Sequence, residues 1–269
     1  MEVEHLPELP DDPGEVSLFV VDRGTRVAEA ERLCEMVAPV VVVGDDLDDD
    51  GLITLMLEAP VSHLMRDPAD RELAITSEKL VTGDLFGLEK YLTGEPRIGE
   101  RVVRNDVEKR AAIAEIGAWA EAVGARKPIV HRLASVIDEL LMNALHDAPR
   151  ESRPTISLTD NERSAIVRWG SDDQTIALSV SDGFGALRQR DVIDHVRRAR
   201  DERGKPNPAT NEEPGAGLGL YLVLANVASL IVNVDPGRQT EVVCLFDLAR
   251  RDRRAIERGV RSLHVFQAS

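Results

Sequence analysis

The second half of the chain alternates between strand-like and helical apolar patterns in an order that restricts its fold. A strand-like run, RIGERVVR, begins at residue 97, two helical segments follow, and two further strand-like runs come next. Another helix then leads into the last strands, in LGLYLVLANVASLIVNV, TEVVCLFDL and RSLHVF. Runs of strands combined with separate runs of helices are typical of α+β proteins. The sequence therefore predicts an α+β sandwich, a mixed sheet with helices on one face.

The first part of the chain has a different pattern. The apolar runs VSLFVVD, PVVVVGDD and VSHLMR are separated by helical segments, which favours a small parallel α/β domain over residues 16–75. Residues 1–15 are acidic and Pro-rich and are predicted to be a flexible tail. Residues 76–96 are predicted to be a helical connector or a dimerising segment, and break residues at 94–100 mark the start of the second domain, 97–269.

Charge and hydropathy exclude several classes of partner. Asp and Glu total 48 against 33 Lys and Arg, and the net charge of −15 disfavours nucleic acids and anionic membranes. The chain has no apolar run near the roughly 20 residues of a membrane span, and no secretory signal, so we expect a cytoplasmic protein. Cys34 and Cys244 form no CxxC pair and are expected to be buried thiols.

Glu139, Asn143 and His146 interrupt the apolar sequence DELLMNALHDAP. Residues three or four apart share a side of a helix, so a helix over 129–147 places them together beside its apolar stripe. One interpretation is an ordinary polar edge facing water. The other is a carboxylate and an amide oxygen directed into one cavity, where the amide suits Mg²⁺ and the carboxylate can deprotonate a nucleophile.

Asp182 ends an apolar strand in SVSDGFGAL and is followed by Gly183 and Gly185. Asp and Gly are common turn residues, so a plain turn is one interpretation. In the other, the carboxylate accepts a hydrogen bond from an amino group, and the glycines let a flat ring approach the backbone.

Gly215, Gly217 and Gly219 precede an apolar helix in PGAGLGLYLV. This pattern fits either a linker entering a helix or an anion site, because backbone N–H groups at a helix start bind phosphate. The spacing matches neither a Walker A loop nor a dinucleotide fingerprint.

Taken in order, these motifs resemble the GHKL (Bergerat-fold) ATP-binding domains, which include gyrase, heat-shock chaperone ATPases and histidine kinases. ELLMNALHDA resembles the N box, DGFG the first glycine box, GAGLGL the second, and GRQTEVVCLF the closing strand. The resemblance covers residues 97–249. The first glycine box departs from the usual D-x-G-x-G, because Phe184 stands where a glycine is expected.

The resemblance implies ATP and Mg²⁺ as cofactors and gives each motif residue a role. Glu139 is implied as the general base and Asn143 as the Mg²⁺ ligand. The implied nucleotide-binding residues are Asp182 and Thr240 at adenine, Gly183 and Gly185 beside them, and His146, Gly215, Gly217, Leu218, Gly219 and Leu220 near phosphate.

The histidines argue against a histidine autokinase, because none lies in the H-E-x-x-x-P context of a phosphoacceptor. The arrangement of the helix over 106–123 and the N-box helix resembles anti-sigma-factor serine kinases, which implies a serine/threonine kinase or switch acting on a partner protein in signalling. A non-catalytic ATP-sensing scaffold, or a domain that binds no nucleotide, remains an alternative. The N-terminal domain resembles a shortened, degenerate receiver domain, which implies a protein-binding role. A homodimer is compatible with each of these hypotheses.

Overall fold

A computed structural model describes residues 17–21, 32, 38–44, 61–66, 70–148, 164–188, 190–194, 218–248 and 260–268. The acidic tail, Cys34, Gly215 and Gly217 lie outside the described residues, as do the predicted helices between the first strands.

The described strands form one nine-stranded mixed sheet in the order β1-β2-β3-β9-β7-β8-β6-β5-β4. The strands are β1 Phe19–Val21, β2 Val40–Val43, β3 His63–Met65, β4 Gly99–Val103, β5 Ala165–Ser171, β6 Thr175–Asp182, β7 Ser229–Asp235, β8 Gln239–Asp247 and β9 Ser262–Gln267. The first three strands are parallel, as the sequence predicts, and β7 is parallel to β9. The other neighbouring pairs are antiparallel.

Four helices are described: α1 Asp70–Thr82, α2 Asp106–Ala122, α3 Lys127–Met142 and α4 Leu218–Asn226. Helix α2 begins where the Asn105 side chain accepts hydrogen bonds from the N–H groups of Val107 and Glu108. Pro128 lies in the first turn of α3, where a missing N–H costs nothing. A short 3₁₀ turn, Leu88–Tyr91, connects α1 to β4.

Alternate residues of the central strands face two separate apolar cores. On β8, Cys244 belongs to the core beneath α2, α3 and α4, whereas Val243 and Leu245 belong to a smaller core on the other face. Helix α3 supplies a stripe of fully or nearly fully buried side chains to the larger core: Leu133, Val136, Ile137, Leu140 and Leu141. Residues of the α1–β4 connection, among them Leu88 and Tyr91, cover the second face.

The predicted α+β class, a large mixed sheet with packed helices, is confirmed. The predicted strands and helices of residues 97–249 that fall within the described ranges match the observed ones to within a few residues. Because β3 pairs with β9, the N-terminal strands continue the same sheet. The domain division at residues 94–100 stays a prediction. None of the described helices has the length and apolar character that crossing a bilayer requires.

Candidate functional site

The end of α3 carries Glu139 and Asn143 one helical turn apart, and the N–H of Asn143 donates to the carbonyl of Glu139. Beyond this point the helix widens into a π turn, Asn143–Asp147, in which the N–H of Ala148 donates to the carbonyl of Asn143. Single π turns inside helices are frequent at functional sites. The sequence predicts a regular helix through residue 147, so this turn is a feature that spacing alone missed.

Gly219, in the first turn of α4, lies directly against both side chains. A Cβ atom added at Gly219 would overlap Oε2 of Glu139 and would lie 3.9 Å from Oδ1 of Asn143. Helix α4 packs against α3, and its Leu220 and Val223 are buried in the core between them. The N-terminal turn of α4 and the C-terminal end of α3, which are far apart in the sequence, therefore meet. Any residue larger than glycine at position 219 would displace the Glu139 carboxylate.

The Glu139 carboxyl lies among other charges. Burial raises its pKa, the neighbouring Asp138 raises it further, Lys109 acts in the opposite direction, and Asp147 adds to the increase. A carboxyl whose pKa is raised toward neutrality is suited to proton transfer. The electrostatics are therefore compatible with a general base, although ion pairs in structural networks also shift pKa values.

Lys109 is a component of this region that the sequence reasoning missed. Its side chain is 10% exposed, and Nζ lies 2.8 Å from Oδ1 of Asp138 and 3.9 Å from Oδ1 of Asp106. Nε2 of His146 lies 3.9 Å from the same Asp106 oxygen, so the imidazole is beside α2. A signal existed, because Lys109 lies three residues before Ala112 on the buried stripe of α2, where a charged residue is unusual.

Asp182 and Thr240 are opposite each other across β6 and β8. Asp182 is 9% exposed and Thr240 is 3% exposed. The Thr240 hydroxyl makes no hydrogen bond within the described part of the chain. An unpaired buried hydroxyl is costly, and ligand binding is one reason for a protein to retain one.

Burial raises the pKa of Asp182 to about 6, although the N–H groups of Phe184 and Gly185 act in the opposite direction. Oδ1 of Asp182 accepts the hydrogen bond from the Phe184 N–H at 2.8 Å. This contact is the plain turn that the sequence allowed as one interpretation. The other carboxylate oxygen is the candidate acceptor for an amino group.

The segment Gly183–Gly185 packs against the β7–β8 turn. Gly185 has φ +56°, and a Cβ there would lie 2.7 Å from the backbone nitrogens of Gly237 and Arg238. Its carbonyl also accepts a hydrogen bond from Gly237, and Phe184 is buried. A Cβ at Gly183, in contrast, meets nothing within 4 Å. Gly185 is therefore required by packing, whatever its role toward a ligand.

The two pairs, Glu139 with Asn143 and Asp182 with Thr240, lie on neighbouring elements. Strand β6 contacts both α3 and the π turn. Helix α4 begins at Leu218, and Gly219 in its first turn lies beside Glu139 and Asn143. Gly215 and Gly217 lie outside the described residues, so their place relative to this site stays a prediction.

A surface cleft of about 470 Å³ lies elsewhere, between residues 93–97, the end of α2 and the β5–β6 turn. It contains none of the predicted site residues, and its Asp172 is engaged by Thr93, Gln174 and Thr175. This carboxylate therefore stabilises the β5–β6 turn and its contact with Thr93. The described residues contain no cluster of three or more His, Cys, Asp or Glu side chains that suits a metal ion.

Comparison with known proteins does not assign a family. No family model matches the chain, and no curated protein matches it. A solved structure, that of the SiaB–SiaC complex from Pseudomonas aeruginosa, aligns with 56% of this chain and 90% of that chain. The sequence identity is 15% and the TM-score 0.39, so this likeness carries no functional argument.

Proposed function

We propose that the chain binds Mg-ATP at a site formed by α3, the start of α4 and the ends of β6 and β8, and transfers phosphate to a serine or threonine of a partner protein. The contact of Gly219 with Glu139 and Asn143 carries this proposal. In this contact the first turn of α4, which follows a glycine-rich segment of the sequence and suits phosphate, lies against a carboxylate and an amide oxygen.

The donor set fits a magnesium nucleotide. The amide oxygen of Asn143 is a hard ligand, and Mg²⁺ bound there would neutralise charge on the phosphates. The unpaired Thr240 hydroxyl and the Asp182 carboxylate supply a donor and acceptors at the opposite end, where the adenine amino group would lie. Phe184 contributes a buried ring near that end.

Glu139 is the proposed general base. Its carboxylate takes the proton of the partner's hydroxyl as the hydroxyl oxygen bonds to the γ-phosphorus. The bond from that phosphorus to the bridging oxygen of ADP breaks, and ADP leaves. Burial raises the pKa of Glu139, which makes the carboxylate a stronger base than an exposed one.

A second candidate, an ATP sensor without phosphate transfer, is favoured by the first glycine box. The N–H of Phe184 already occupies one Asp182 oxygen, and Gly185 is fixed against the β7–β8 turn. In a sensor, ATP would alter the affinity for a partner without being consumed.

The change Glu139→Gln separates the two candidates. With γ-labelled ATP and proteins that co-purify with the chain, we expect transfer to fall at least about 100-fold, because the amide cannot accept the proton. ATP affinity should change by less than about threefold, since the shape is kept. The matched change Glu115→Gln, on the exposed face of α2, should alter neither quantity. Unchanged transfer in the Glu139 variant would contradict the proposed base, and ATP binding without transfer in the wild type would favour the sensor.

A further inference from the structure

The second face of the sheet contains a buried polar cluster that the proposed function does not use. It lies where β3, the last of the N-terminal strands, joins β9. His63 and His264 are opposite each other across this junction and are 4% and 0% exposed. Their ring centroids are 5.6 Å apart, and both rings lie against Phe266, at 4.5 Å and 5.9 Å.

These imidazoles have little support for a positive charge. Within the described part of the chain, Nδ1 of His63 and both ring nitrogens of His264 make no hydrogen bond. A carboxylate, Glu72 of α1, lies 3.9 Å from Nε2 of His264. Its Oε1 accepts from Ser262, and its Oε2, which makes no hydrogen bond within the described residues, lies 3.5 Å from Nε of Arg261.

The other charged side chains around His63 and His264 also have partners. Lys79 of α1 donates to Tyr91 and Asn233, and its Nζ lies 3.8 Å from the centre of the Phe266 ring. Burial lowers the pKa of Lys79 to about 7, although Glu241 acts in the opposite direction. Glu241 of β8 accepts from the Gly87 N–H and from Asn233. Asp247, at the far end of β8, pairs with Arg261. A proton on either imidazole would therefore add positive charge next to Lys79, and the carboxylate beside His264, Glu72, is shared with Arg261.

The junction itself is short. β3 and β9 share three residue pairs, whereas β9 and β7 share six. Two further backbone hydrogen bonds flank the three pairs: the N–H of Arg66 donates to the carbonyl of Arg261, and the N–H of Val265 donates to the carbonyl of Ser62. If the junction opened, β9 would stay paired with β7.

We propose that the β3–β9 junction is an acid-sensitive seam, which separates the N-terminal strands from the rest of the sheet when His63 and His264 take up protons. Protonation requires water and counter-charge, and opening the seam supplies both. This inference does not depend on the proposed function, because neither histidine is among the residues proposed to bind the nucleotide.

The direction of the pH dependence follows from comparing the histidine pKa values in the closed and the opened junction. Burial lowers the pKa of His63 to about 3 and that of His264 well below its usual value, and Lys79 lowers both further. In the opened state each imidazole titrates near 6.5. The closed seam is therefore fully stable above that pH and loses stability as the pH falls below it. Between about pH 7.5 and 5.5, opening should become about tenfold more favourable per histidine, or about 100-fold for the pair.

Hydrogen exchange followed by mass spectrometry tests this in the full chain. Protection factors in peptides covering β1, β2 and β3 should fall about 100-fold between about pH 7.5 and 5.5, while those of β5 and β6 change much less. His63→Gln and His264→Gln should each reduce the fall to about tenfold. His131→Gln, an exposed change on α3, should behave as the wild type.

Two results would contradict the proposed acid-sensitive opening of the β3–β9 junction. One is equal pH dependence in peptides of β1–β3 and of β5–β6 in the wild type. The other is the full wild-type dependence in both glutamine variants. The wild-type comparison decides the proposal alone if a glutamine variant does not fold.

Discussion

Gly219→Ala should abolish most of the phosphate transfer and leave the protein as stable as the wild type. The added Cβ would overlap Oε2 of Glu139, which is the far end of a flexible side chain. The carboxylate must move aside, and the backbone is not strained because alanine favours helix more than glycine does. Displacing a reacting group by about 1 Å costs about 100-fold in rate, so transfer should fall by at least that factor.

Gly117→Ala is the matched control, because it makes the same change within α2. A Cβ there meets only Cγ1 of Val130, at the ordinary contact distance of 3.8 Å. Thermal unfolding and labelled-ATP assays of both variants separate stability from activity. Normal transfer in a folded Gly219→Ala protein would contradict the assigned place of Glu139. A large loss of stability would show that the Glu139 side chain cannot move.

Asp182→Asn should make the folded state more stable and ATP binding weaker. Burial raises the pKa of Asp182 to about 6 from a usual 3.8, so ionisation favours the unfolded chain. The free energy of unfolding therefore falls as pH rises from about 3.8 to 6, by up to about 3 kcal/mol, and stays at the lower value above that range. Asparagine keeps an oxygen for the Phe184 N–H and removes this penalty, so denaturant unfolding at neutral pH should show a gain of about 2 to 3 kcal/mol.

The same substitution should change base preference. With its oxygen bound to Phe184, the asparagine presents N–H donors where the carboxylate offered an acceptor. ATP affinity should fall about 10- to 100-fold, whereas inosine triphosphate, which carries a carbonyl in place of the amino group, should bind relatively better. Asp173→Asn, an exposed change in the β5–β6 turn, should alter neither stability nor base preference. An unchanged ratio of ATP to inosine triphosphate affinity would remove Asp182 from the adenine pocket.

Most of the fold was predictable because it depends on local apolar patterns. The apolar stripe of Leu133, Ile137 and Leu141 indicates a helix and its buried side. The apolar run of β8 indicates a strand that is buried on both faces. The joining of β3 to β9 was not predictable in this way. It pairs residues 201 positions apart, His63 with His264, and no short-range pattern encodes such a pairing.

At the candidate site, too, local spacing was predictable and contacts between separate elements were not. The spacing of Glu139 and Asn143 indicated a shared side of a helix, and the structure brings Gly219 to them. The π turn at Asn143–Asp147 escaped notice because one wider turn hardly changes the spacing of polar and apolar residues along the sequence. Lys109 was missed because its ion pair with Asp138 joins two helices, and helical spacing describes only one. The roles implied for Glu139, Asn143, Asp182 and Thr240 stay predictions.

Calorimetric titration of the wild type and of Asn143→Ala with ATP, each with and without Mg²⁺, decides whether Asn143 holds the magnesium of a bound nucleotide. We expect Mg²⁺ to strengthen ATP binding to the wild type, and Asn143→Ala to lose at least about tenfold in affinity with Mg²⁺ but little without it. Wild-type protein that binds no ATP, or an Asn143→Ala variant with the full Mg²⁺ effect, would exclude this site.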